Sequence, residues 1–507
     1  MKIEDYRRDF AAYNSALEIA YYQHRAGHER ELRIEPVYDR YGGLFTRDAI
    51  DELRRALAET PEHRETERAG LRALIGAAHF GYLQAQTQKL TFERALCEAS
   101  ARIEWQGESL PAYNAPAKIA NEPSAAARRE LTARWSDSLA VCDDLRAARI
   151  ESFHASAREL GFASYRQLCA ESTGTDYEQL ARAADGLLQR TEQSYMSALA
   201  QALPRDVPGV AFDDLQHADY FYFERMARLD QLFPAGEMLS TYAAAMKGLG
   251  INIEQQKNIM IDDEPRPFKN PRAACLRVNP PDDVRLLLSP IGGAYDYRTL
   301  FHEAGHAQHL AWSSRELAER YPEFIYAPDY ATTEGYAFLL QHLFFDRFWL
   351  REHRRSLTAE QTSDTVRTLA LRTACTVRRF CAKLKYEIAL HDSEQVRAEQ
   401  LAATYSTLQA EATGFRRSPA FALSDVDDEF YVAAYLRAWA FEAGLRERLR
   451  TRHGRRWWAT RKAGDELIDL WNTSSRYTVE ELARHIGFGE VSFELLADTL
   501  IAVLTED

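Results

Sequence analysis

The 507-residue sequence lacks a long uncharged apolar run and any block of basic residues. Its longest nearly uncharged apolar stretches, residues 286–295 and 336–345, are shorter than the roughly 18–20 residues that cross a bilayer. The net charge is −13 and the arginines are scattered along the chain, so a nucleic-acid backbone meets no basic surface. We therefore expect neither a membrane nor a nucleic acid as a partner.

Closely spaced cysteines are also missing. The six cysteines are spread thinly and include no C-x-x-C pair, which predicts reduced thiols that act as small buried hydrophobes. Charged residues interrupt the first twenty positions, so neither a secretory signal nor a transit peptide fits. We expect a cytoplasmic protein, and both a monomer and a homodimer remain open.

Apolar residues three and four positions apart dominate the sequence up to about Leu203, and the same pattern resumes after Tyr297. This spacing is typical of amphipathic helices. Proline and glycine interrupt it near residues 204–209, where we place a boundary. The predicted organisation is an N-terminal helical lobe, residues 1–205, followed by a catalytic region, residues 206–507, and we expect the two to form one continuous structural unit.

Strand-like sequence is confined to one region. The runs at residues 274–278 and 284–289 favour β-structure, and the turn-rich NPPDD at residues 279–283 joins them. The sequence thus predicts a mainly α fold with one small hairpin or sheet edge.

The clearest chemical motif is H-E-x-x-H, formed by His302, Glu303 and His306. On a helix, positions i and i+4 share one face, so the two imidazoles can bind one zinc ion at about 2.0–2.1 Å. Glu303 lies at the adjoining edge of that face, where it can act as a general base. The apolar flanks predict a buried helix, in which polar side chains need partners. A metal centre explains the motif better than an ordinary solvated helix.

A catalytic zinc site needs a third protein ligand and one open position. The best candidate is Glu334, a lone carboxylate early in a strongly apolar helix, with Glu323 and Asp329 as weaker substitutes. Alternatively, Glu334 only complements the helix dipole. His309 lies seven residues after His302, about 10 Å along a helix, so we expect it to contact substrate or to support the site.

These segments resemble the thimet oligopeptidase and oligoendopeptidase F family of zinc peptidases. The resemblance covers about residues 273–448 and rests on VRLLLSPIGGAYDY, TLFHEAGHAQH, TEGYAFLLQHLF and FYVAAYLRAW, which start at Val284, Thr299, Thr333 and Phe430. The family's third ligand is a glutamate on a second helix, which supports Glu334. The resemblance implies two helical lobes, a deep central channel, a small β-sheet near the active site and one zinc ion per chain.

The resemblance also implies tyrosines that donate hydrogen bonds to the developing oxyanion. Tyr435 matches best and Tyr431 second, whereas a further family tyrosine falls at Ala438. An ordinary aromatic pair at i, i+4 is the alternative. Where the family has a second acidic residue, this chain has Gln341, so we expect support for the histidines to come from elsewhere.

The predicted reaction is the hydrolysis of internal bonds in short, unstructured peptides, with zinc-activated water and Glu303 as the base. We expect the peptide to extend along residues 284–289, at Leu287, through main-chain hydrogen bonds. Gly292 and Gly293 would allow close backbone approach, although a plain turn explains the pair equally well.

Two alternatives accompany this prediction. The first is an exopeptidase with the same metal site, in which Arg437 binds a free carboxylate of the substrate. The second is a non-catalytic zinc-containing protein that only binds peptides, which the intact His302, Glu303 and His306 disfavour.

Overall fold

The computed structural model describes residues 2–506, and helix accounts for 71% of the protein, which confirms the mainly α prediction. In the described range, no helix is both long and apolar enough to cross a bilayer. The α-helices are α1 (Ile3–Arg25), α2 (Glu35–Tyr41), α3 (Arg47–Glu59), α4 (Glu65–Ser100), α5 (Ala115–Asn121), α6 (Ala125–Ala140), α7 (Asp143–Glu159), α8 (Tyr165–Thr173), α9 (Tyr177–Asp206), α10 (His217–Arg225), α11 (Met238–Gly248), α12 (Ala294–Ala311), α13 (Arg315–Arg320), α14 (Glu323–Tyr326), α15 (Tyr330–Gln341), α16 (Arg347–His353), α17 (Ala359–His391), α18 (Glu399–Thr413), α19 (Tyr431–His453), α20 (Arg461–Trp471), α21 (Val479–Ile486) and α22 (Glu494–Thr505). The strands are β1 (Arg102–Trp105), β2 (Glu108–Pro111), β3 (Ile259–Asp262), β4 (Ala274–Asn279) and β5 (Asp283–Leu287).

The protein consists of two compact units, each assembled from separate stretches of sequence. The first unit contains the residues through Gly81, Leu229–Val366 and Arg437–Leu496. The second unit contains Tyr82–Arg228, Arg367–Leu436 and the residues from Ala497 onward. This division does not coincide with the predicted boundary near residue 205, because contacts between distant segments define both units.

The first unit contains a three-stranded sheet in the order β3-β5-β4. The central strand, β5, is parallel to β3 and antiparallel to β4. The predicted pair of strands at β4 and β5 is therefore present, whereas β3 was not predicted. In β4, Ala274, Leu276 and Val278 are buried with Tyr22 of α1, while Cys275 and Arg277 alternate onto the opposite face.

The second unit has its own apolar clusters and its own small hairpin. One cluster joins Ile103 and Trp105 of β1 to Ile119 and Leu131 on α5 and α6. The strands β1 and β2 pair antiparallel, within the N-terminal region for which the sequence predicts a helical lobe. Four consecutive residues in each strand are too few to reveal a clear alternating pattern.

The second unit also contains a disulfide between Cys97 and Cys142. The prediction that all six cysteines are free thiols is therefore wrong. The two residues are 45 positions apart, at the end of α4 and just before α7, and only the fold brings them together. The other four cysteines are free, and three of them are buried.

Candidate metal centre

The helix that carries the H-E-x-x-H motif, α12, begins directly after the glycine pair. Gly292 and Gly293 have φ values of 88° and 92°, a conformation that favours glycine. The N–H of Gly293 donates to the carbonyl of Phe233, and the carboxylate of Asp296 accepts from the N–H of Gly292. A Cβ on Gly293 would lie 2.5 Å from an oxygen of Asp230. The turn and these close contacts account for both glycines without a substrate.

Glycine also sets the distance between α12 and α15. A Cβ on Gly305 would lie 2.5 Å from the Cα of Ala337 and 2.8 Å from the carbonyl oxygen of Tyr336. Real Cβ atoms do not come this close to backbone, so the two helices can pack as they do only because position 305 has no side chain. This contact places Glu334 of α15 beside the two motif histidines of α12.

His302, His306 and Glu334 form a compact group of candidate ligands. One oxygen of Glu334 lies 3.2 Å from Nε2 of His302 and 3.7 Å from Nε2 of His306. Ligand atoms around a tetrahedral zinc ion are about 3.3 Å apart, given Zn–N and Zn–O bonds of about 2.0–2.1 Å. One nitrogen or oxygen from each residue lies within 4.8 Å of the others. The three residues therefore fit a zinc ion in both chemistry and spacing.

The electrostatics of the group favour a cation between its members. Burial opposes protonation of His302, but the carboxylate of Glu334 outweighs this effect and raises the pKa of His302. Burial lowers the pKa of His306 to about 4, so its imidazole is neutral at pH 7 and has a lone pair to donate. A buried carboxylate between two imidazoles is stabilised by positive charge, which a divalent ion supplies.

The start of α15 is anchored by Arg437 of α19. The guanidinium pairs with both oxygens of Asp329 at 2.9 and 2.8 Å, and with both oxygens of Glu480 at 2.8 and 2.6 Å. Asp329 is the N-cap of α15 and accepts from the N–H of Ala331. Arg437 is 6% exposed and already bound by two carboxylates, so it has no free face for a substrate carboxylate. The prediction that it binds substrate is wrong, and its position indicates that it holds α15 in place.

The two weaker candidates for the third ligand also have other partners. The carboxylate of Asp329 binds Arg437, and that of Glu323 pairs with Arg7 at 2.8 Å while fully buried. Neither residue belongs to the ligand group. Among the candidates named from sequence, Glu334 alone lies with the two histidines.

Gln341 supports the first histidine from the far end of α15. Its Oε1 lies 3.0 Å from Nδ1 of His302, so Nδ1 carries a proton and Nε2 is the nitrogen available to bind a metal. The expectation that support comes from elsewhere is therefore wrong. Glu334 and Gln341 are seven residues apart, two helical turns on one face, and this spacing is the sequence signal that could have identified the partner.

The proposed base, Glu303, is held at the edge of the sheet. Its Oε2 accepts from the backbone N–H of Cys275 in β4 at 2.8 Å. Burial raises the pKa of Glu303 above that of an ordinary carboxyl group. A higher pKa makes the carboxylate a stronger base toward a neighbouring water.

The sheet topology corrects the predicted path of a peptide. The strand β5 is hydrogen bonded to β3 on one side and to β4 on the other, and Leu287 is fully buried. A strand with both edges paired offers no N–H groups to a peptide, so the prediction that substrate extends along β5 at Leu287 is wrong. The sheet has two edge strands, β3 and β4, and β4 is the one next to Glu303.

His309 is not a member of the ligand group. It is 1% exposed, and its ring packs against that of Tyr336 with the centroids 4.9 Å apart. Burial lowers the pKa of His309 to about 4. This burial contradicts direct contact with substrate, and the packing of α12 against α15 explains the residue.

The two predicted oxyanion donors belong to the second unit. Tyr431 and Tyr435 lie in the first turns of α19, with ring centroids 5.1 Å apart, and Tyr435 also contacts Phe380. This arrangement matches the aromatic pair that the i, i+4 spacing predicts. A role for either phenol in catalysis stays a prediction.

Two histidines one turn apart on α12 and a glutamate on α15 form a ligand set of the kind found in catalytic zinc sites. The fold itself is oligoendopeptidase-like, as solved structures show. A protein from Bacillus anthracis strain Ames assigned as oligoendopeptidase F has a TM-score of 0.64 at 15% identity, over 95% of this chain and 83% of that one. A second protein assigned as oligoendopeptidase F has a TM-score of 0.69 at 14% identity, over 97% and 89%.

PZ peptidase A, solved with an inhibitor, has a TM-score of 0.68 at 15% identity, over 99% of this chain and 92% of that one. No protein-family model and no curated protein matches the sequence. At these identities the likeness establishes the fold, so the function has to be argued from the site.

Proposed function

We propose that this protein is a zinc metallopeptidase that cleaves internal bonds of short, unstructured peptides. The observation that carries the proposal is the convergence of His302, His306 and Glu334, with Glu303 directly beside them. The oligoendopeptidase-like fold supports the same conclusion. The proposal includes one zinc ion per chain.

His302, His306 and Glu334 would hold the metal through two imidazole nitrogens and one carboxylate oxygen. A zinc ion in such a site supplies Lewis acidity, which acidifies water and polarises a carbonyl oxygen. Glu303 accepts the proton of the attacking water and delivers it to the leaving amine. Tyr435, and after it Tyr431, are the proposed donors to the oxyanion.

The proposed binding surface for the peptide is the outer edge of β4. The strand lies at the end of the sheet, and the N–H of Cys275 points away from β5, toward Glu303. A peptide that pairs with this edge would bring its main chain next to the proposed base. The carboxylate of Glu303 would leave the N–H of Cys275 as the peptide enters.

The exopeptidase alternative loses its main support in the structure. It relied on Arg437 as the group that binds a free substrate carboxylate, and this side chain is bound by Asp329 and Glu480. The non-catalytic alternative finds no support in the geometry either, since Glu303 is present and next to the ligand group. We propose short peptides as substrates, a monomer or a homodimer as the assembly, and the cytoplasm as the location.

The test combines metal analysis with the digestion of a broad peptide library, read by mass spectrometry. Wild-type protein is expected to contain one zinc ion and to release internal fragments. Glu303→Gln should keep the zinc and lose at least about 10²-fold in rate, whereas Glu334→Ala should lose the zinc. Glu319→Gln, at an exposed position on α13, is the control and should behave like wild type.

Three results would contradict the proposal. Full activity of Glu303→Gln would remove this residue from the mechanism. Full zinc content in Glu334→Ala would assign the third ligand to another residue. Release of single residues or dipeptides alone from chain ends would replace the endopeptidase with an exopeptidase.

A further inference from the structure

The free edge of β4 exposes two backbone N–H groups, and both already have acceptors. In an antiparallel pair, alternate residues direct their N–H groups away from the neighbouring strand. In β4 the N–H groups of Cys275 and Arg277 bond to side chains instead of β5, and the register with β5 shifts between Leu276 and Asn279. The N–H of Cys275 donates to Glu303, and that of Arg277 donates to Oε2 of Glu18 at 3.1 Å. The two N–H groups are about 7 Å apart along the strand. Two carboxylates thus occupy the positions where carbonyl oxygens of a paired peptide would bind.

Glu18 is fixed in this position by more than one bond. Its Oε1 accepts from the guanidinium Nε of Arg277 at 3.1 Å, while Oε2 binds the N–H of the same residue. The side chain of Glu18 is 15% exposed, and its helix, α1, is packed on β4 through Tyr22 and Leu276. A carboxylate held at both oxygens and mounted on a packed helix does not swing away easily.

A peptide can displace Glu303 from the edge of β4 more easily than it can displace Glu18. Glu303 is the proposed base, so its carboxylate can bind the attacking water once it no longer accepts from the N–H of Cys275. Glu18 would have to leave both the N–H and the guanidinium of Arg277, which would leave a partly buried arginine without its carboxylate. A peptide can therefore pair with the N–H of Cys275, but the pairing ends before it reaches Arg277.

We propose that Glu18 is a specificity-determining residue that stops substrate pairing along β4 after Cys275 and so limits substrate length on one side of the cleavage point. The inference rests on the proposed function. It assigns to a residue far from the motif in sequence the selection of short peptides over long ones.

The experiment uses the zinc-loaded, full-length protein and capped peptides whose cleavage point has been fixed by mass spectrometry. One series is extended by single alanines on the N-terminal side and a second series on the C-terminal side. Both ends are acetylated or amidated, so that Arg277 meets no free carboxylate. In Glu18→Ala, kcat/KM should rise about tenfold for the longer members of one series, because one or two main-chain hydrogen bonds become available. The other series should be unchanged.

Two further variants make the result specific. Glu18→Gln keeps an oxygen that can accept from the N–H of Arg277, so it should keep the length limit of wild type. Asp5→Ala removes an exposed carboxylate on the same helix, which pairs with Arg8, and should have no effect. Thermal unfolding and zinc content of each variant show whether α1 and the metal site remain in place.

The inference is overturned if Glu18→Ala changes kcat/KM in neither series, or changes it equally in both. It is also overturned if Glu18→Gln behaves like Glu18→Ala, because the charge of Glu18, and not its occupation of the strand edge, would then be responsible. The binding of labelled peptides from both series to Glu303→Gln is measured by fluorescence anisotropy. This measurement separates failure of the inference from failure of the proposed function. A length effect on binding in a protein without hydrolysis would keep the role of Glu18 and reject the peptidase. Hydrolysis without a length effect would do the opposite.

Discussion

The amide of Gln341 determines which ring nitrogen of His302 is available to a cation. An amide oxygen can only accept, so the nitrogen that faces it, Nδ1, has to carry the proton. A carboxylate in this position would make the imidazole a stronger electron donor than a neutral amide does. The protein therefore holds the histidine in orientation without adding a further negative charge to the site.

This arrangement predicts the effect of changing Gln341 on metal binding. Gln341→Ala should weaken zinc binding about 10- to 100-fold, because His302 loses the group that fixes its ring. Gln341→Glu should bind zinc at least as tightly as wild type. The measurement is competition with a chelator of known affinity, which needs no substrate. Equal affinity of wild type and Gln341→Ala would show that the contact does not matter.

The sequence identified the two histidine ligands and the proposed base because they are local: His302, Glu303 and His306 lie within five residues of one helix and stay together wherever that helix folds. Glu334 lies 28 residues after His306 on another helix, and its place among apolar residues was the signal for it. The surroundings of His309, Leu287 and Arg437 depend on partners that are not local in the sequence. Those partners lie on other elements, and a single sequence does not reveal that Arg437 meets Asp329 and Glu480.

At the scale of elements, the site depends on how closely α12 and α15 approach. The ligands sit on two helices, so any change in the separation of the helices moves Glu334 relative to both histidines. Two glycines allow the close packing. Gly305 of α12 contacts the backbone of α15, and Gly335 of α15 contacts Phe441 of α19. The sequence showed a glycine inside the motif but did not show which helix would pack on it.

Gly305→Ala should therefore abolish zinc binding while most of the fold remains. The new Cβ would meet backbone atoms at 2.5 and 2.8 Å, so one helix has to shift, and a shift of about 1 Å is enough to spoil a metal site. Gly186→Ala is the matched control: this glycine lies on α9 with open space around it, and alanine there should stabilise the helix by up to about 1 kcal/mol. Zinc content and thermal unfolding are measured for both variants. Normal zinc content in Gly305→Ala would refute the argument.

In the second unit, a buried ion pair joins α9 to α17. The carboxylate of Asp206, at the end of α9, binds Arg372 of α17 at 2.7 Å, and both side chains are almost fully buried. Arg228, which follows α10, binds the same carboxylate at 3.1 Å. Burial alone would raise the pKa of Asp206, but the ion pairs with arginines, Arg205 among them, outweigh it and lower the pKa to about 2.

The stability of this unit should therefore depend on pH in a defined direction. The folded pKa of Asp206 lies below the value of about 3.9 in an unfolded chain, so its contribution is present above about pH 4 and is lost as the pH falls toward 2. At pH 7, Asp206→Asn should cost about 3–5 kcal/mol, because Arg372 stays buried without its partner. Urea unfolding at pH 7, 4 and 3 should show the difference from wild type shrinking as the pH falls.

The control for this series is Asp144→Asn. Asp144 pairs with Arg397 at the surface and its side chain is 87% exposed, so its loss should leave the unfolding midpoint unchanged. A pH-independent difference between Asp206→Asn and wild type would show that the carboxylate does not titrate as described.

At the scale of the whole molecule, the sequence predicted the fold class and the hairpin beside the site, but not the division into units. Helical spacing and the alternation in β4 are local patterns. The division, the third strand β3 and the pairing of Cys97 with Cys142 depend on segments that are far apart in the chain. No window of sequence contains that information.

The disulfide gives a prediction for the purified protein. Under denaturing, non-reducing conditions a thiol reagent should label four cysteines, and after reduction it should label six. Closing a loop between residues 45 positions apart stabilises a fold by about 4 kcal/mol in the chain-entropy account, so reductant should lower the unfolding temperature. A variant with both Cys97→Ser and Cys142→Ser should not respond to reductant. Labelling of six cysteines without reduction would exclude the bond.

The same labelling, done by rapid alkylation in intact cells, bears on the proposed location. The cytoplasm keeps most thiols reduced, whereas disulfides persist in oxidising compartments. Six labelled cysteines in cells would agree with a cytoplasmic protein whose disulfide forms after extraction. Four labelled cysteines would contradict that location.

The discontinuous first unit also has a consequence for biosynthesis. Its stretches end at Gly81, Val366 and Leu496, and roughly 150 residues of the second unit are made between Gly81 and Leu229. About 250 residues separate Arg25, the end of α1, from Ala274, the start of β4, so at about 5–20 residues per second α1 waits roughly 12–50 s on the ribosome before the strand it covers is translated. Nascent chains of this protein should therefore expose the apolar face of α1 to chaperones for that time. For the same reason, a gene fragment that encodes residues 206–507 would supply the metal ligands without the helix that covers their sheet.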